Sequence, residues 1–224
     1  MLIDNSYFKG ELKVPNSQSS LAPLSDRTGN VQKIEEYIQR YERQVLIYAL
    51  GLTNYNDLIS YIDPITGDWI DEGATPQKWL DYVDGTEYQI DGVDFEWKGI
   101  RFVEGNQNYS LIAYYVFAKF LPDISTSFGS AGIQKENTKS ARGYSSIPKS
   151  VDAWNGFIKL YQGDEIEGTE GAKLWSSRGL VGLDYYQRDL VEGDVDMYKY
   201  LQDNASEYPG VTTQLFGHVN SFGI

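Results

Sequence analysis

The chain contains no cysteine and one histidine, His218. The first absence removes disulfides, thiolate nucleophiles and cysteine-bound zinc together. The second excludes a two-histidine metal site within one chain and would force a Ser-His-Asp arrangement onto the last few residues. Basic residues are scarce, with 19 Lys and Arg against 32 Asp and Glu, and the formal net charge of −13 opposes wrapping nucleic acid through dispersed phosphate contacts. A GxxxxGK[ST] loop is missing, and the glycines of GSAG at 129–132 do not fit a dinucleotide fingerprint. Long apolar runs are missing too. The densest one, residues 109–121, falls short of the roughly 20 residues a membrane-crossing helix needs. The opening MLIDNSYFKGELKV carries Asp4 and Glu11 and lacks the basic start and apolar stretch of a secretory signal, so a soluble, non-exported protein is expected. No internal repeat is apparent.

Aromatic residues are what the chain has in excess: 18 Tyr, nine Phe and five Trp. Such a composition suits cores whose edges reach polar partners, or broad contact surfaces. The length of 224 residues is ample for one core with arms. Residues 1–29, with Pro15, Pro23 and the run NSQSS, read as an N-terminal arm with little core of its own. Residues 30–163 read as a helical core. Val31, Ile34, Ile38, Tyr41, Val45, Tyr48 and Leu52 recur at spacings of three and four, one stripe of a helix that Asn30 caps and Gly51 ends. A short helix, NYNDLISYI, is expected next, and Thr75-Pro76 should open another over QKWLDYVDG. Alternation around Asp91-Gly92 predicts a β-hairpin at about 86–98. The aromatic helix is expected to begin near Asn106–Asn108 and to end near Leu121, before Pro122. Residues 122–146 read as a long polar loop, followed by a helix with Val151, Trp154, Ile158 and Tyr161 inward. Residues 164–224 read as an acidic, Gly-rich C-terminal extension with a short helix, since 164–196 holds nine acidic groups against three basic ones. The fold class expected is mainly α: a small helical bundle with an inserted β-hairpin and extended N- and C-terminal arms.

Candidate chemistry is thin. DPITGDWIDEG offers Asp63, Asp68, Asp71 and Glu72 but lacks the ligand spacing of a calcium loop, and it reads as a solvated turn. Asp194 and Asp196 suit a helix start, where the macrodipole favours acid. Paired carboxylates for glycoside hydrolysis, with aromatics for sugar stacking, stay open as an alternative. No catalytic, metal-binding or cofactor-binding residue is nominated. One local feature opposes the acidic background: in residues 132–150, Lys135, Lys139, Arg142 and Lys149 face only Glu136. That loop is either an exposed linker or a docking strap. The candidate contact residues are those four cations with Tyr109, Tyr114, Tyr115 and Phe117 of the aromatic helix and Phe216 and Phe222 of the tail.

The order of elements carries a resemblance. A heptad-patterned helix ending in YALG, then WKGIRF feeding YSLIAYYVFAKFL, a polar loop and KSVDAWNGFIKLYQ resembles the head-to-tail connector proteins of tailed bacteriophages, as do YKYLQDNASEYPG and the ending VNSFGI. The similarity is greatest to the type found in crAss-like and related gut-bacterial phages. It spans residues 30–224, and the acidic insert at 164–196 departs from it. It implies a non-enzymatic structural protein of the virion, without cofactor. About twelve copies would form a ring below the portal protein and extend the DNA channel towards the tail. Implied partners are further copies, the portal, downstream tail or second-ring proteins, and genomic DNA passing without sequence-specific binding, with no membrane. Implied localisation is the neck of the virion, after synthesis in the bacterial host cytoplasm. Another phage or bacterial protein-interaction module, or a carboxylate-dependent glycoside hydrolase, is the alternative.

Overall fold

A computed structural model of the chain describes residues 1–14, 24–124, 126–129, 132–135, 147–163, 165–167, 173–175 and 194–217. Among them are five α-helices: α1 (Leu24–Ile59), α2 (Gln77–Asp84), α3 (Leu111–Ile124), α4 (Ile147–Gln162) and α5 (Met197–Asp203). Four separate antiparallel hairpins accompany them: β1 (Thr86–Ile90) with β2 (Val93–Trp97), β3 (Arg101–Glu104) with β4 (Gln107–Ser110), β5 (Thr126–Gly129) with β6 (Gly132–Lys135), and β7 (Glu165–Glu167) with β8 (Lys173–Trp175). The architecture is therefore mixed helix and sheet, which corrects the mainly α expectation. The strands that sequence reading missed, β3 to β8, are three or four residues long, too few for a period of two to stand out.

The Asp91-Gly92 turn has φ of 52° and 79°, the two positive values that match a two-residue turn to the twist of its strands. The next hairpin replaces what reads as the start of the aromatic helix. Gly105 and Asn106 link strands in which Phe102 pairs with Tyr109 and stacks on it at 5.5 Å. Only after Ser110, whose buried hydroxyl accepts from the Ile112 amide at 3.1 Å, does α3 begin. Its far end also differs from expectation. Pro122 lies inside α3, and the Ala118 carbonyl that its missing N–H cannot serve accepts from the Ser150 hydroxyl of α4 at 2.9 Å.

The core is built around α3. Ile112, Val116, Phe117 and Phe120 are buried between Ile34, Ile38, Val45 and Leu46 of α1 and Ala153, Phe157 and Ile158 of α4. Gly156 lets α4 come close, because a Cβ there would sit 2.8 Å from the Tyr114 ring. In α1 the helix is broken at Gly51 (φ 74°, ψ 165°), and Leu52, expected on the inward stripe, turns 54 % exposed beyond the break. Pro76, not Thr75, occupies the cap position of α2.

The N-terminal segment is core rather than a loose arm. Leu2, Ile3, Phe8, Leu12 and Val14 are buried, and the Leu2 and Ile3 amides donate to the buried Glu42 carboxylate of α1 at 2.8 and 3.3 Å. The apolar positions there follow 3₁₀ turns at Asn5–Tyr7 and Gly10–Leu12, a spacing that helix and strand templates both miss. Residues 15–23 lie outside the described residues.

Candidate functional site

The face of α1 that points away from Glu42 carries Arg40, Tyr41, Gln44 and Tyr48, spaced as successive turns of one helix side. With Tyr115 and Lys119 of α3, Trp154 of α4 and Phe216 of the C-terminal segment, it lines a cleft of about 660 Å³. Arg43 completes the rim. Three cations and several rings thus meet on a protein of net charge −13, and no carboxylate is among the described lining residues.

The rings are interlocked. Phe216 sits 5.7 Å from Tyr48, 5.7 Å from Trp154, 5.4 Å from Phe157 and 5.3 Å from Tyr161, mostly edge to face. The Lys119 ammonium lies 4.8 Å from the Trp154 ring centroid and 5.3 Å from that of Tyr115, and burial pushes its pKa below the usual lysine value. Arg40 lies over Tyr41 at 5.3 Å and Arg43 over Tyr55 at 5.8 Å. Burial, with Tyr48 and Tyr41 nearby, pushes the Tyr115 hydroxyl up to about 12, so it stays a neutral donor, here to Gln44 Oε1 at 3.3 Å.

One wall of the cleft is an extended strap, residues 211–217, held largely by its main chain. Gln162, buried at the end of α4, donates from Nε2 to the Phe216 carbonyl at 2.6 Å and accepts the Phe216 amide on Oε1 at 2.7 Å. Trp154 Nε1 donates to the Gly217 carbonyl at 3.0 Å. The Gln214 amide donates to the Tyr48 carbonyl at 2.9 Å and the Thr213 hydroxyl to the Ala49 carbonyl at 3.1 Å. These two α1 carbonyls stand just before the Gly51 break, where the helical ladder ends, so the strap supplies donors at a helix end. The site is a polypeptide cradle with an aromatic socket and a cationic rim.

The expected contact residues divide. Tyr115 and Phe216 belong to this cleft. Phe117 is 1 % exposed and its surface is used inside the chain, which corrects its assignment to a partner face. Tyr114 is half-buried and its hydroxyl donates to Glu11, while Tyr109 is a strand residue stacked on Phe102. Lys149 is exposed at the start of α4. Lys135 falls in β6, and Lys139, Arg142 and Phe222 lie outside the described residues. Sequence reading missed Arg40, Arg43, Lys119 and Trp154 as one group. The i, i+3 placement of the two arginines was a visible signal, but their convergence with α3 and α4 was not.

A second cleft, about 390 Å³, opens between the first two hairpins and is lined by Asp84, Glu87, Glu96, Lys98 and Glu104. Asp84 is held there by Arg101 and Trp69, and Lys98 by Asp194. Among the described residues, no group of three or more His, Cys, Asp or Glu converges as metal ligands do. No helix there is long and apolar enough to cross a membrane. In comparisons with known proteins, no protein-family model, no curated protein and no solved structure matches the chain.

Proposed function

We propose that this chain is a structural subunit of a phage virion, a head-to-tail connector whose copies join one another in a ring below the portal and carry the DNA channel towards the tail. The observation that carries the reading is the cleft. It recognises extended polypeptide through main-chain bonds and an aromatic socket, and it keeps a cationic rim open beside the strap it already holds. Cradles of this kind serve protein joining. The order of sequence segments, which resembles that of phage connectors, supplies the biological setting. A net charge of −13 suits a channel wall that must let DNA pass without holding it.

The test is sedimentation and electron microscopy of the purified protein, alone and with a portal protein. Closed rings, of about twelve copies as the resemblance implies, or a complex that caps the portal ring, are expected. A single-copy species at every concentration that ignores the portal would overturn the reading. The glycosidase alternative rests on the acid-lined cleft between the hairpins and would be favoured by polysaccharide turnover that Glu87→Gln or Glu96→Gln abolishes.

A further inference from the structure

The acidic loop after α1 presents an apolar side chain that stands exposed among the described residues. Ile65 is 85 % exposed, the most exposed of the large hydrophobic residues among those described, and Ile70 on the same loop is 63 % exposed. Yet the loop is tightly built. The Asp63 carboxylate accepts from the Ile65 and Thr66 amides at 2.7 and 3.0 Å, and these bonds hold its pKa below the usual aspartate value. The Asp63 amide donates to the Asp68 carbonyl at 2.8 Å, the Gly67 amide to the Asp63 carbonyl at 2.9 Å, and the Ile70 amide to the Tyr61 carbonyl at 2.9 Å. Gly67 is locked against the N-terminal segment, since a Cβ there would fall 1.6 Å from the Met1 carbonyl oxygen. Trp69 Nε1 ties the loop to Asp84 at 2.7 Å.

A rigid loop bearing a bare isoleucine has already met the ordering cost that binding would otherwise exact. It also carries charge of one sign, with Asp68, Asp71 and Glu72 exposed and no cation from residue 63 to residue 77. The cleft between α1, α3 and α4 has the opposite character, with aromatic walls and the cations Arg40, Arg43 and Lys119. We infer that the 63–72 loop of one copy seats Ile65 against the aromatic wall of this cleft in a second copy, with Asp68 and Glu72 facing the cationic rim. This inference rests on the self-assembly in the proposed function and names its two surfaces. Ile65 stands exposed on its own chain, so the pairing is between copies. Because knob and cleft are different surfaces, repeating the contact head to tail generates a ring where the rotation closes and a filament where it does not.

The experiment is sedimentation velocity of the full chain over a concentration series, with circular dichroism confirming the fold of each variant. The substituted side chains Ile65, Asp68, Glu72, Arg40 and Arg43 are exposed, so the fold is expected to persist. Ile65→Ser, and separately Arg40→Glu with Arg43→Glu, should each move the association midpoint to at least about tenfold higher concentration. Combining the groove reversal with Asp68→Lys and Glu72→Lys should bring it back to within about threefold of the parent, because the charges are exchanged but still opposed. If the parent associates and Ile65→Ser does not alter it, or the combined reversal fails to restore it, this pairing is wrong while the connector reading stands. If the parent never associates and ignores the portal, the connector reading fails first. If a labelled single-stranded oligonucleotide binds the parent, loses binding on groove reversal and leaves Ile65→Ser untouched in self-association, the cleft is a nucleic-acid site and the inference is overturned.

Discussion

Gln162→Met isolates how the C-terminal strap is held. The parent amide makes two bonds to the Phe216 main chain, at 2.6 and 2.7 Å, from a side chain 2 % exposed. Methionine fills nearly the same volume and makes neither bond. Each such bond is worth about 1 kcal/mol net, so the docked strap should lose about 2 kcal/mol. The freed groups of Phe216 can turn to water once the strap lifts, which caps the loss at the docking energy of the strap itself. That energy is small. The strap is tied down by a few hydrogen bonds and the half-buried Phe216 ring, far less than holds the core helices. Local opening without global unfolding is therefore expected. The reporter is the Gln214 amide, which bonds to Tyr48 and not to Gln162. Its hydrogen exchange should accelerate by up to about 30-fold, the factor matching about 2 kcal/mol, with the docking energy as its ceiling, while α3 amides keep their protection. Unchanged exchange at Gln214 would show that Gln162 does not hold the strap, and equal acceleration throughout α3 would show that the strap is no separate unit.

Glu42→Gln tests the N-terminal latch. Burial raises the Glu42 pKa above its ordinary 4.5 against the pull of the Leu2 and Ile3 amides, so the folded chain holds the proton more tightly than the unfolded one. Its contribution is then fully present below 4.5 and is lost as pH rises through the folded-state value. Gln keeps an acceptor for both amides and cannot ionise, so in urea unfolding its advantage over the parent should widen from about pH 5 to about pH 8; a constant difference would remove Glu42 as the source. Tyr161→Phe deletes a buried hydroxyl that has no hydrogen-bond partner among the described residues, and the melting temperature should hold or rise, by up to about 1 kcal/mol of stability. A loss larger than that would mean the hydroxyl is bonded after all. Gly67→Ala places a Cβ where the Met1 carbonyl lies, at a φ of 78°, and should cost at least about 2 kcal/mol while exposing the N-terminal segment to protease. Retained stability and retained protection would refute that docking.

Much of the helical framework was legible because it follows from spacing within single segments. The α1 stripe through Ile34, Ile38 and Val45, the break at Gly51, the Asp91-Gly92 hairpin and the stop of α4 at Gly163 each depend on neighbours a few residues away. Their periodicity and their glycines therefore announce them. The errors came where a local preference met a distant partner. Pro122 should end α3, but Ser150 of α4 supplies the Ala118 carbonyl with a donor. One exception was local: residues 107–109 look like helix, but the turn at Gly105 folds them back on β3 as β4.

The candidate site shows the same division. Composition by itself determined that the chain is acidic, rich in rings and without thiol chemistry, because those are properties of the residue set whatever the fold. That Arg40, Arg43 and Lys119 share one rim, that Phe216 plugs the socket beneath it and that Ile65 stands bare on a rigid loop was decided only by tertiary structure. Those side chains come from segments up to 176 positions apart, and what brings them together is the packing of α1, α3 and α4, which no local pattern encodes.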